Sequence, residues 1–193
     1  MQTTINTNTS TPNKQGLSVR QLAVIGVMTA VTCILAPFSV PIGPVPISLT
    51  NLAIYISLYV LGTKKATVSY LVYLLIGFIG VPVFSGFSSG PQKLFGPTGG
   101  YLIGFIPMAI IAGILVDKFT SNKLICFLGM IAGSIVCYGF GTTWLAYQAH
   151  MDWKSALFAG VVPFLIGDAA KMILAAIIGP QIRKQLIRAD LFF

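Results

Sequence analysis

Long apolar runs, cut at intervals by proline, glycine and lysine, organise nearly all of this chain. Only the start departs from the pattern: MQTTINTNTSTPNKQG is built on Thr, Asn and Gln and has no apolar run. Such a stretch buries too little to offset the entropy of ordering, so residues 1–18 are expected to be a disordered tail and 19–193 a membrane domain. A helix crossing a hydrocarbon core about 30 Å thick needs about 20 apolar residues at about 1.5 Å each. Cut at the prolines and charges, the pattern predicts six spans, near Val19–Phe38, Ser48–Leu61, Ala66–Gly80, Gly100–Val116, Leu124–Tyr147 and Ala156–Ile178. The first run follows Lys14 and Arg20 as a secretion signal would, but it continues to Val40 with no small-residue cleavage pattern. The fold class expected is an all-α membrane protein.

The links between spans fall into two kinds. GTKK (62–65) and DKFTSNK (117–123) are short and basic. VPIGPVPIS (40–48) carries three prolines, and VPVFSGFSSGPQKLFGPTGG (81–100) carries Pro82, Pro91 and Pro97 with five glycines. The second segment is expected to form no regular helix, yet it holds Val81, Val83, Phe84, Phe87, Leu94 and Phe95. Irregular backbone near membrane depth is tolerated where it is buried in protein or lines a cavity. The segment therefore reads as a lid folded over an outer pocket, or as a surface loop whose aromatics anchor in the headgroups.

Charge orients this arrangement. Cytoplasmic loops are enriched in Lys and Arg, and the six spans put nine of the twelve basic residues on one side (14, 20, 64, 65, 118, 123, 183, 184, 188) against Lys93 and Lys154 on the other. Both termini are expected to be cytoplasmic, in the cell membrane, with the pocket open to the outside. The net charge of +8 then follows from orientation, and its scatter along loop ends argues against a nucleic-acid surface.

Composition narrows the chemistry. The apolar share is 55%, charged residues make up 8%, Glu is absent, and there are four Asp and one His. Soluble domains carry about 25% charge. An enzyme, a metal site or a resident cofactor is hard to build from this stock. The three cysteines (33, 126, 137) are widely spaced among apolar residues and read as buried, inert thiols. There is no G-x-x-x-x-G-K-[ST], so ATP hydrolysis would have to come from other chains. Gly86 and Gly90 near Lys93 make a poor phosphate cradle, because Pro91 removes a backbone donor.

The clearest chemical feature is PFLIGDAAKMILAA (163–176). Asp168 and Lys171 stand three apart, on one helix face, and about ten residues from either end of the predicted sixth span. Each charge there costs about 2.5–3.5 kcal/mol on insertion scales. The pair either tethers helix six by neutralising itself or meets a ligand: Asp168 can accept from N–H groups and Lys171 can donate to a carbonyl or carboxylate. Asn51, beside Thr50, either starts a helix or bonds across helices, or touches a ligand. Tyr101, after GPTGG, is either a pocket residue or an interface anchor. Ala23, Gly26 and Ala30 give the first span a small-residue stripe that admits a close partner helix, from this chain or another.

Four segments together, LIGFIGVPVFSGFSSG (75–90), LFGPTGGYLIGF (94–105), VPISLTNLAIYI (45–56) and PFLIGDAAKMILAA, resemble BioY, the biotin-binding S component of energy-coupling factor (ECF) transporters. One departure is Asn51, where many members carry Gln; the amide survives with a shorter reach. The resemblance implies a six-helix subunit that captures biotin from outside and docks on a transmembrane T protein and two ABC-type ATPases, toppling in the bilayer during transport. It implies that Asp168, Lys171, Asn51, Thr98, Gly99 and Tyr101 line the biotin site, with Phe84 in its wall. The Ala23, Gly26 and Ala30 stripe would meet the T protein. The alternatives are an S component for thiamin, riboflavin or a folate, and a biotin transporter acting alone.

Overall fold

The computed structural model describes residues 18–189. The expected disordered tail lies outside the described residues except for Ser18. That residue is ordered as the N-cap of α1 (Val19–Leu35): its hydroxyl accepts from the Gln21 N–H while the Gln21 side chain accepts from the Ser18 N–H, a capping box. The chain is mostly helical. It continues with a hairpin of β1 (Ser39–Ile42) and β2 (Val45–Ser48), then α2 (Thr50–Phe78), α3 (Pro91–Phe95), α4 (Gly99–Lys118), α5 (Lys123–Gln148), α6 (Trp153–Gly160) and α7 (Phe164–Arg188). Three of these, α4, α5 and α7, are each long and apolar enough to cross a membrane.

The proline-rich link after α1, read from sequence only as an outer connection, forms two antiparallel strands. Gly43 (φ +80) takes the first turn position, where a two-residue hairpin of this kind wants glycine. Ile42 faces Val45 across the turn and Pro41 faces Pro46 next along. Opposed pairs alternate between those that exchange hydrogen bonds and those that do not, so the two prolines share a position where the ladder asks for no N–H.

The segments predicted as spans two and three correspond to α2 to within two residues at its ends; the helix is broken at Gly62, whose φ of 73° and ψ of 169° are open to a residue without Cβ. The largest difference from the sequence reading is in the sixth span. It is not one helix over 156–178: α6 ends at Gly160, and α7 begins at Phe164 and runs to Arg188. Pro163 explains the break, because its ring excludes the carbonyl four residues back and it offers no N–H. Asp168 therefore sits little more than one turn from the start of α7, not ten residues deep. The glycine-rich link also differs, containing the single-turn α3 with Pro91 in its first turn, where a missing N–H leaves no bond unmade.

Packing centres on α2, which contacts α1, α4 and α7, while α5 packs on α4, α6 and α7. Tyr55, Tyr59, Tyr70 and Tyr73 of α2 are wholly buried. Three of the four hydroxyls find the partners a low-dielectric interior asks for: Tyr55 with Ser134 Oγ (2.7 Å), Tyr70 with the Leu102 carbonyl (2.8 Å) and Tyr73 with the Val83 carbonyl (3.1 Å), while the Tyr59 hydroxyl makes no hydrogen bond among the described residues. The Tyr73 bond pins the 79–98 link to the bundle. Gly90 N–H to the Gly77 carbonyl (2.7 Å), Gly86 N–H to the Pro37 carbonyl (3.0 Å) and Trp144 Nε1 to the Gly96 carbonyl (2.9 Å) hold it down elsewhere.

Candidate functional site

A cavity opens where the hairpin, the start of α2, the first turns of α4, mid-α5 and the start of α7 converge. Its walls include Val45, Pro46, Leu102, Phe105 and Phe164, and its polar groups include Asn51, Thr98, Tyr138, Asp168 and Lys171. The empty space is about 580 Å³ with the mouth included. A mostly apolar hollow with a few fixed polar groups suits a small organic ligand.

Asp168 and Lys171 form the polar centre. Lys171 Nζ lies 3.0 Å from Asp168 Oδ1, and both side chains are 11% exposed. The pair is not isolated. Lys171 also donates to the Ser48 carbonyl at 2.6 Å, and the Tyr138 hydroxyl donates to Asp168 Oδ2 at 2.6 Å. Charge-assisted bonds of this kind are short and strong, and they let two ions remain in an apolar interior where either alone would be disfavoured. Each ion keeps capacity beyond these bonds, since an ammonium has three donors and each carboxylate oxygen two lone pairs.

Asn51 is 4% exposed, at the start of α2. Its Oδ1 accepts from the Leu52 N–H at 3.1 Å, while its Nδ2 makes no hydrogen bond among the described residues. Tyr101 presses its ring where a Cβ at Gly141 would sit and brings its hydroxyl against Gly160. Thus glycines of α5 and α6 make room for the aromatic wall.

Of the residues singled out from sequence, Asn51, Thr98, Tyr101, Asp168 and Lys171 come together on this cavity. Gly99 and Phe84 are not among its lining residues. Gly99 packs on the Leu94 carbonyl, and Phe84 is wholly buried behind the wall, seated on Gly77 and edge-on to Tyr73. Cys126 and Cys137 are buried, but Cys33 is only partly so, and Cys137 is itself part of the cavity wall. Ala23, Gly26 and Ala30 are exposed on α1, and among the described residues nothing outside the helix itself lies within 4 Å of where a Gly26 Cβ would sit.

Sequence reasoning missed Ser48, Ser85 and Tyr138. Tyr138 carried a signal, a hydroxyl in the middle of an apolar span, where a polar group needs a partner. Ser48 and Ser85 carried none, because each is placed by loop geometry.

The sequence signature of the BioY family matches residues 7–188. The chain belongs to this family. Among relatives, the biotin transporter BioY of Thermotoga maritima is 40% identical over 166 residues, which cover 86% of this chain and 97% of that protein. The biotin transporter BioY2 of Lactococcus lactis is 34% identical over 179 residues, covering 93% and 98%. A crystal structure of the S-component for biotin from an ECF-type ABC transporter superposes with a TM-score of 0.79 at 32% identity, covering 86% of this chain and 92% of that one. Membership of a transporter family and three helices each long and apolar enough to cross a bilayer are consistent with a multi-pass membrane protein.

Proposed function

We propose that this chain is the biotin-binding S component of an ECF-type transporter, a substrate-capturing subunit and not an enzyme, working with a transmembrane T protein and two ATPases. The observation that carries the reading is the meeting of Asn51, Asp168 and Lys171 on one apolar-walled cavity. Biotin has a fused apolar ring system, a ureido group and a carboxylate tail. Asp168 accepts ureido N–H groups, and Asn51 and Lys171 donate to carbonyl or carboxylate oxygens. Val45, Pro46, Leu102, Phe105 and Tyr101 enclose the apolar part.

The hairpin and the 79–98 link serve as the cover of the site, and Ser85 and Thr98 from that link reach the cavity. With six spans, the cover faces outside and both termini lie in the cytoplasm; the excess of Lys and Arg on the other set of loops supports that reading. The exposed Ala23, Gly26 and Ala30 face of α1 is the contact for the T protein, because small residues let a second helix approach closely.

The test is a titration of the purified chain with biotin, thiamin and riboflavin, followed by tryptophan emission. Trp144, bonded to Gly96, reports on the cover. Saturable binding of biotin alone is expected; preference for another vitamin overturns the assignment. Uptake by cells expressing the chain with and without the energising module separates a shared machine, which predicts ATP-dependent uptake in the first case, from a transporter acting alone.

A further inference from the structure

A second hollow lies at the far end of the bundle. The vitamin cavity uses the first turns of α4 and this hollow uses the last, roughly 18 Å further along the helix at about 1.5 Å per residue. With its wide mouth included, as for the first cavity, it spans about 1580 Å³ between α4 and the part of α2 that follows Gly62. The turn at Gly62 opens it by interrupting the helix there.

Its wall has two chemistries. Leu61, Ile110 and Ile114 are apolar, and Ile110 and Ile114 are 40% and 54% exposed, so they turn outward where lipid lies. Lys64, Lys65, Lys118 and Arg183 bring four cations against one carboxylate, Asp117. Asp117 is engaged within the protein, accepting from Thr63 N (2.8 Å), Thr63 Oγ1 (2.6 Å) and Arg183 Nη1 (3.0 Å). The Asp117–Arg183 pair therefore neutralises itself and holds the two helices in place, while the lysines give the hollow its net positive charge.

We propose that this hollow binds one anionic phospholipid, with its phosphate among Lys64, Lys65 and Lys118 and an acyl chain along Ile110 and Ile114. Charge complementarity selects the occupant: a zwitterionic lipid matches the apolar strip equally but presents its own cation to the lysines, whereas an anionic one does not. The proposal requires only that these helices cross a bilayer, and it stands independently of which vitamin the other cavity takes.

Native mass spectrometry of the full chain, exchanged into micelles containing phosphatidylglycerol or phosphatidylcholine of matched chains, tests it. The expected result is one phosphatidylglycerol retained at least tenfold more than phosphatidylcholine, falling to the phosphatidylcholine level in a K64Q/K65Q/K118Q variant that keeps the helical circular dichroism and elution volume of the unaltered chain. Equal retention of the two lipids, or phosphatidylglycerol retention unchanged in the variant, overturns it. Excess glycerol phosphate is expected to leave the lipid bound; displacement would assign the hollow to a soluble phosphate ester instead. Should the triple variant fail to fold, K64Q and K118Q singly are expected to lower retention at least threefold, and no change in either refutes the proposal.

Discussion

Lys171 on α7 donates to the backbone carbonyl of Ser48 at 2.6 Å, joining a residue of the last helix to the end of the hairpin 123 positions earlier. The same ammonium holds Asp168 at 3.0 Å. One side chain thus fixes both the charged centre of the cavity and the strand that borders it, so its surroundings decide whether a ligand finds the polar groups already in place.

Tyr138 completes that centre from α5 through its 2.6 Å bond to Asp168. Replacing it with Phe removes the hydroxyl and keeps the ring. A hydrogen bond to a charged group contributes about 1.5–3 kcal/mol, and loss of one donor among several lies near the low end, about tenfold in affinity. Isothermal titration of Tyr138→Phe with biotin is expected to read a weakening of that order, with a melting temperature lowered by a few degrees because the same bond supports the folded chain.

Much of this arrangement was legible in the sequence. Asp168 and Lys171 announced themselves as charges three apart in an apolar run, and hydrocarbon makes such residues conspicuous. Asn51, Thr98 and Tyr101 were placed by the segments around them. The hairpin was hidden because prolines argue against strands, and only the cross-strand register reveals that Pro41 and Pro46 share the one kind of position that tolerates them. The break before α7 was hidden by apolarity: Val161, Val162 and Pro163 sit in a run that reads as continuous by hydropathy. Phe84 was drawn to the site by its place in an apolar loop, but its ring fills a socket at Gly77 instead.

That socket gives a second prediction. A Cβ at Gly77 would lie 2.1–2.7 Å from the Phe84 ring, so Gly77→Ala must push the ring out and loosen the 79–98 link. Overpacking of this kind costs about 1–3 kcal/mol. Thermal unfolding in detergent is expected to fall by several degrees, with weaker biotin binding as the cover loses its seat.

The α1 stripe separates binding from transport. Gly26→Leu and Ala30→Leu place bulk on an exposed face of α1, where a Gly26 Cβ would meet no other described residue. Biotin titrations of the isolated variants are expected to match the unaltered chain, while uptake with the energising module falls to background. Intact uptake would mean that the stripe is not the docking face.

The most direct test of the central claim is a biotin titration of Asp168→Asn and Lys171→Ala, purified intact and compared with the unaltered chain. Each is expected to bind at least tenfold more weakly, about 1.4 kcal/mol, while inserting normally into the membrane. Affinities equal to that of the unaltered chain would contradict the account, because the ion pair would then be a tether for α7 and not part of the site.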